Sequence, residues 1–309
     1  MTRPFRFGLQ LAAAAPGLTW AETAQRAESA GFDTLFMPDH FGDQLAPIAA
    51  LAAAATATTE LKVGALVFGN DYRHPLVLAK ELATIDALSR GRLEIGIGAG
   101  WMRTDYEQSG MAYDRPGVRI ERLKEAVAVI RGCMGPAAFS FAGDHYTVTD
   151  YDGHPKPING PPPLLIGGGG RRMLGLAARE ADIVGVTANL RAGEIGPEAV
   201  ADSVAEAYDE KIEWVRAAAG DRIDDIELSS LALHVDITDD RDAALEGVAQ
   251  LFGLDAAAAA EVPGLLVGSV EQIGETLEVR RERWGFNYPV LQGFDFDAHA
   301  AIIERLAGR

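Results

Sequence analysis

Short apolar runs alternate with longer segments of helical period along the whole 309-residue chain. Phe5–Leu11 predicts a first strand. Thr19, with Glu22 three residues on, forms a capping box that opens a helix, and Gly31 stops it. Thr34–Asp39 reads as the second strand and Pro47–Thr58 as its helix. Leu61–Phe68 and Pro75–Leu88 form the third pair, with proline at a favoured first helical position. Arg92–Gly98 with Val118–Arg131, Pro163–Gly167 with Arg171–Glu180, and Asp182–Thr187 with Pro197–Ala219 continue the alternation. Ile226–Asp236 predicts a seventh strand, followed by helices over Arg241–Leu251 and Val270–Trp284. Tyr288–Gln292 is the eighth strand and Asp297–Ala307 the closing helix.

Strands that alternate with helices predict a parallel sheet, because each crossover returns over a face of the sheet. Eight such units favour a closed TIM-type (β/α)8 barrel over an open doubly wound sheet. The first strand is also not followed by Gly-x-Gly-x-x-Gly, which counts against the open alternative. No linker marks a boundary, so residues 1–309 read as a single barrel domain. Two stretches exceed the minimal repeat. Gly132–Pro163 reads as a surface hairpin around Phe139–Val148 and a loop inserted before strand five. Leu254–Gly268, rich in alanine, reads as a mobile helix over the active face. Insertions at the C-terminal face of the strands shape a substrate pocket in this architecture.

Composition narrows the partners. Acidic residues number 45 against 28 basic ones, a formal charge of -17, which disfavours nucleic acid or an acidic membrane. The lone Cys133 cannot form an internal disulfide and reads as a half-buried thiol at a helix end, in keeping with a reducing cytoplasm. The first eleven residues read as a strand rather than a signal peptide, and no run is long and apolar enough to span a bilayer.

Four strand ends carry candidate chemistry. Strand two ends in Met37-Pro-Asp39-His40: a carboxylate beside an imidazole either exchanges a proton near neutral pH or caps a turn beside an exposed histidine. After strand three, Arg73 either approaches an anion or takes part, with His74, in ordinary capping before Pro75. Strand four ends in Gly96-Ile-Gly98-Ala99-Gly100-Trp101. Its alternate glycines admit either a flat ligand or another backbone, and Trp101 adds a stacking surface. Strand five ends in Gly167-Gly168-Gly169-Gly170-Arg171-Arg172 and runs straight into a helix. Free backbone N–H groups at a helix N-terminus beside two arginines make a phosphate site, and four glycines are too costly for a turn alone. The six histidines show no metal-ligand spacing. Gly-x-Ser-x-Gly is absent, and strand four ends without an acid, against serine hydrolases and glycosidases.

Glu28–His40, Tyr72–Pro75, Leu82–Arg92, Gly96–Trp101 and Ile166–Glu180 together resemble the bacterial luciferase-like superfamily of flavin and deazaflavin enzymes. The resemblance implies a tricyclic ring held at the C-terminal ends of the strands. It implies a non-prolyl cis peptide within Ala65-Leu66-Val67, and Asp39 and His40 near the reactive edge. By the same resemblance Gly98–Trp101 line the ring and tail, and Gly168, Gly169, Gly170 and Arg171 bind the phosphate. The Gly69–Pro75 loop and the Gly-Ala-Gly-Trp strand end are closest to the coenzyme F420-dependent branch. That implies hydride transfer to or from a small organic substrate, with His40 relaying the proton and Asp39 orienting it or contacting the ring. The alternatives are an FMN-dependent monooxygenase fed by a partner reductase and a non-catalytic cofactor carrier. A homodimer is the expected assembly. Glucose-6-phosphate dehydrogenases of this family carry an acid where this chain has Trp101, which argues against a sugar phosphate.

Overall fold

The computed structural model describes residues 3–309. Eight parallel strands close on themselves in chain order: Gly8–Gln10, Thr34–Met37, Lys62–Ala65, Leu93–Gly98, Leu164–Gly168, Ile183–Val186, Glu227–Ala232 and Phe286–Gln292. These are numbered one to eight below. Strand one pairs with both strand two and strand eight, and strand three with strand four, so the sheet has no edge in the ring. This is the TIM-type (β/α)8 barrel that the alternation predicts.

The strands are buried on both faces, as continuous Val, Ile and Leu runs require. Their outer faces pack against the helices through Leu9, Leu35, Val63, Ile97, Ile166 and Val184. Their inner faces meet in a second cluster of Phe36, Leu165, Ile183, Tyr288 and Val290, with Leu66, Val67 and Leu231 packed on it. The N-terminal end is closed by charge. Arg6 reaches Glu94 and Glu227 at 2.6 Å each, and the Tyr288 hydroxyl donates to Glu94 at 2.9 Å. The C-terminal end stays open: strand five runs from buried Leu164–Ile166 to half-exposed Gly167 and Gly168.

Thr19 and Glu22 form the expected capping box at Trp20–Ser29. The hairpin of Phe139–Ala142 and Thr147–Tyr151 is also present. Its turn is held by Glu125, which accepts from the amides of Asp144, His145 and Tyr146 at 2.8–3.1 Å.

Five expectations change. Strand three stops at Ala65 and resumes as Phe68–Gly69, with the cis Leu66–Val67 peptide between the two pieces. The long helix over Pro197–Ala219 is two helices, Pro197–Ala201 and Ala205–Ala219. Strand seven ends at Ala232, and His234–Ile237 leaves the barrel to pair in parallel with Leu265–Gly268. The Ala-rich stretch is therefore a short helix, Ala256–Glu261, followed by that strand. It shares a small core of its own with Arg241–Phe252 through Leu245, Val248, Ala259 and Val267. Arg280 fastens this satellite to helix Val270–Trp284, donating to the carbonyls of Ala260, Val262, Pro263 and Leu265 at 2.8–3.2 Å. Cys133, at the end of helix Pro116–Cys133, is buried rather than half-buried, and burial pushes its thiol up, so it packs as a small apolar group.

Candidate active site

The loops after strands two, three and four assemble around two buried carboxylates. Asp39 is 3% exposed and takes a bidentate ion pair from Arg73, at 2.6 and 3.1 Å, while the Gly69 amide donates to it at 2.9 Å. Arg73 thus spends its guanidinium on a protein carboxylate rather than on an exposed anion.

The carboxylate that holds His40 is Asp105, which no sequence motif singles out. His40 Nδ1 lies 2.7 Å from Asp105 Oδ2, the Tyr72 hydroxyl donates to the same oxygen at 2.8 Å, and the Phe41 amide donates to Oδ1 at 3.2 Å. A carboxylate with these partners is an acceptor, so it selects the tautomer with a proton on Nδ1 and leaves Nε2 to exchange one. Burial, followed by the Asp105 hydrogen bond and charge, holds the Tyr72 hydroxyl well above its ordinary range, so it remains a donor. The His40 side chain is 24% exposed and meets Trp101 edge-on at 5.5 Å. It therefore stands at the rim with one nitrogen engaged.

Asp105 sits on helix Arg103–Ser109, in a stretch that reads as a loop from sequence. Three contacts fix this helix and the strand-four end that leads to it. The Tyr106 hydroxyl donates to Asp71 at 2.9 Å, Arg119 donates to the Gly100 carbonyl at 2.8 Å, and the Tyr113 hydroxyl donates to the Trp101 carbonyl at 2.9 Å. Gly100 has a φ of +74° and lies so close to the Tyr106 hydroxyl that a side chain there would displace it. A Cβ on Gly98 would come within 2.7 Å of Val67, and one on Gly96 would overlap the Ala65 carbonyl. Of the two readings of these glycines, Gly96 serves the approach of another backbone. Gly98 makes room for the Val67 side chain.

The non-prolyl cis bond falls at Leu66–Val67, within the three residues expected to hold it. Gln10, at the end of strand one, donates to the Leu66 carbonyl at 2.5 Å, and Gln292, at the end of strand eight, donates to Gln10 at 2.5 Å. Leu66, Val67, Ala99 and Trp101 are half-exposed, so the mouth offers an apolar surface beside glycine backbone.

Across the barrel, strand five delivers Gly168–Gly170 into helix Arg171–Glu180, whose N-cap Gly170 offers no side-chain cap. Gly168 is tight against Met173, and Gly169 against the Thr187–Ala188 backbone. A Cβ on Gly170 would meet only the Asn189 side chain, at 3.2 Å. Arg172 pairs with exposed Glu121, whereas Arg171 is exposed and makes no ion pair among the described residues. His74 caps helix Pro75–Ser89 by accepting from the Leu76 amide at 3.2 Å, which is the structural reading of that histidine. Among the described residues no group of three or more His, Cys, Asp or Glu is placed to hold a metal, and no helix is long and apolar enough to cross a membrane.

The C-terminal mouth of the closed parallel barrel thus carries a histidine–carboxylate pair and a helix end without a side-chain cap, the placement of functional groups usual for a TIM barrel. The sequence profile of the luciferase-like monooxygenases matches residues 4–284, and the chain belongs to that family. It is 34% identical to the FMNH(2)-dependent dimethylsulfone monooxygenase of Pseudomonas fluorescens over 165 residues, 52% of this chain and 45% of that protein. It is 29% identical to the F420-dependent glucose-6-phosphate dehydrogenase of Nakamurella multipartita over 252 residues, 79% of this chain and 71% of that one. With several curated relatives the match thus spans about half of their length. The coenzyme F420-dependent tetrahydromethanopterin reductase of Methanopyrus kandleri shares the fold, with a TM-score of 0.79 at 19% identity over 98% of each chain. Relatives of both cofactor types are oxidoreductases, which supports an enzyme of the flavin or deazaflavin class.

Proposed function

We propose that this protein is a coenzyme F420-dependent oxidoreductase that moves a hydride between the deazaflavin and a small organic substrate. Alcohol and ketone, imine, or an activated alkene are the substrate classes. The observation that carries this reading is His40, held through Nδ1 by buried Asp105 and free at Nε2 on the open rim. Hydride chemistry at a carbon–oxygen or carbon–nitrogen bond needs a proton donor or acceptor at the heteroatom, and a positioned imidazole meets that need near neutral pH.

The residues present fit the cofactor. Half-exposed apolar Leu66, Val67, Ala99 and Trp101, with Ala65, Gly98 and Gly100 behind them, would hold a flat ring. Gly168–Gly170 and Arg171 would hold a phosphate at the uncapped helix end. When bound, a deazaflavin supplies two-electron hydride chemistry. In the oxidising direction His40 Nε2 takes the substrate's proton; in the reducing direction it returns it. Asp105 stabilises the imidazolium in between, and Tyr72 keeps Asp105 in place. Asp39 is a positioning group: paired with Arg73, it ties the loop after strand three to the loop that carries His40. Trp101, where sugar-phosphate dehydrogenases of the family carry an acid, supports a less polar substrate.

The F420-dependent relative that aligns over 79% of the chain supports the deazaflavin. FMN is the second reading, supported by the 34% identity to the dimethylsulfone monooxygenase. Titrating the purified protein with coenzyme F420 and with FMN, and following fluorescence, separates the two. Micromolar binding of the deazaflavin is expected; binding of FMN alone would overturn the proposal.

A further inference from the structure

The large apolar side chains left exposed are not spread evenly around the barrel mouth. Ile195 follows strand six, Leu233 strand seven, Phe294 strand eight, Leu18 strand one, and Phe41 and Leu45 strand two. These five strands are consecutive neighbours in the closed sheet, so their loops form one continuous arc. Of the other exposed large apolar residues, Val77, Leu88, Leu251 and Val279 lie on helices, and Ile158 lies in the segment that leads into strand five. The loops after strands three, four and five contribute none. They carry Arg73, which pairs with Asp39 of the strand-two loop, Asp71, which pairs with Arg122 at 2.9 Å, and the glycine end with Arg171.

Charge follows the same division. The loops 12–19, 38–46, 187–196, 233–240 and 293–295 contain one Lys or Arg between them, Arg191, and it faces Glu198 at 3.4 Å. An anionic substrate would find no free cation on this arc, in a protein of formal charge -17. On the inner side, the ends of strands one and eight offer neutral amides from Gln10 and Gln292. The loop before strand one's helix touches the loop carrying His40, through the Leu45 amide on the Ala12 carbonyl at 2.9 Å. The apolar arc is therefore continuous with the proton-exchanging histidine.

We infer that the substrate is a bulky, uncharged, apolar molecule with one carbonyl or hydroxyl group, received on the arc formed by the loops after strands six, seven, eight, one and two. This rests on the oxidoreductase reading for what happens at that group, but not for how the body of the molecule is held. An apolar surface of this kind gains affinity with every methylene it covers, about fourfold for each one that becomes fully buried. A phosphorylated substrate would instead lose its hydration without a compensating cation.

The test is calorimetric titration of the purified protein, with and without coenzyme F420, using 2-butanone, 2-hexanone, 2-octanone, 2-decanone and glucose 6-phosphate as probes. Affinity is expected to rise by at least tenfold between the four-carbon and ten-carbon ketones, with glucose 6-phosphate not binding. Leu233→Asp and Phe294→Asp, both exposed positions, should each weaken 2-decanone at least tenfold and leave the F420 affinity unchanged. A flat ketone series overturns the inference, as does tighter binding of glucose 6-phosphate when coenzyme F420 is present. So does a fall in oligomeric state for these variants with no change in ketone affinity, which would make the arc an interface between copies. Failure of cofactor binding in the same titrations counts against the oxidoreductase reading alone, because the ketone series is also read without it.

Discussion

Asp105→Asn is the substitution that most directly probes the proposed proton relay. The wild-type carboxylate is 2% exposed and accepts from His40, Tyr72 and the Phe41 amide. Asparagine keeps the size and can keep two of these contacts, so the fold should survive. What it removes is the negative charge beside the imidazolium that forms when His40 takes a proton. Two unit charges about 4 Å apart attract by roughly 4 kcal/mol at the effective dielectric of a protein near its surface. Exposure of a quarter of the His40 side chain screens part of that, which leaves about 2 kcal/mol. If the new amide turns its NH2 toward Nδ1, the proton is also forced onto Nε2, the wrong nitrogen for a base. Together these predict a loss of roughly 10²- to 10³-fold in kcat, within the range usual for general acid–base groups. Cofactor affinity should stay the same, and the solvent isotope effect should rise as proton transfer becomes limiting. Tyr72→Phe removes one donor and leaves the charge, so it should cost less than Asp105→Asn, about tenfold, the lower end for a hydrogen bond to a charged group. An Asp105→Asn enzyme with wild-type kcat and isotope effect would refute the relay.

Three further outcomes follow from the geometry. Gly170→Asp should raise the cofactor Kd by roughly 100-fold while the melting temperature holds or rises, because Gly170 already has extended N-cap backbone and an Asp there caps the helix with the charge that repels phosphate; unchanged affinity in a fluorescence titration would remove the phosphate site from strand five. Arg73→Leu should destabilise the protein by about 3–5 kcal/mol in urea unfolding, since it leaves the buried Asp39 carboxylate without its cation, and a loss under 1 kcal/mol would show that Asp39 is better hydrated than its burial indicates. Glu28 joins helix Trp20–Ser29 to the segment before strand three by accepting from the amides of Thr59, Glu60 and Leu61 at 2.6–2.9 Å; burial alone would raise its carboxyl, but these donors bring it below the usual range. A carboxylate lowered on folding stabilises the native state above its unfolded pKa and stops doing so as pH falls through its folded one. Glu28→Gln should therefore cost about 1 kcal/mol at pH 7, with the gap to wild type closing below about pH 4; a gap independent of pH would refute the assignment.

Much of the barrel is readable from residue order because strand burial and helix capping are local. Thr19 with Glu22, Pro47, Pro75 and the valine- and isoleucine-rich runs each announce their element within a few residues. The Gly168–Arg171 end is legible for the same reason, since glycine backbone and a helix start are adjacent in the chain. Asp105 is not. Its helix is seven residues long, lacks a side-chain cap, and meets His40 only across 65 residues of sequence. The one local hint is an acid four residues past Trp101, which by itself fits a solvated helix turn. Strand seven misleads for a related reason: Ile226–Asp236 keeps one apolar pattern, while its second half has changed partners from the barrel to Leu265–Gly268. Pattern reports burial, and burial is the same in both sheets.

The segment from Gly69 to His74 then takes on a role that no single motif suggests. Its consecutive residues Tyr72 and Arg73 hold the two buried carboxylates, Asp105 and Asp39, one from each side of the loop that carries His40. Gly69 is small because the Tyr72 ring lies against it, and its amide gives Asp39 another donor. Asp71 takes Tyr106 and Arg122, which anchors the helix bearing Asp105. Buried Asn70 donates to Tyr146 at 3.3 Å, in the turn of the inserted hairpin. One six-residue turn therefore fixes both the histidine's partner and the loop from which the histidine extends. A change in that turn moves the imidazole and its carboxylate together, so the proposed relay depends on the register of this loop as much as on His40 and Asp105 themselves.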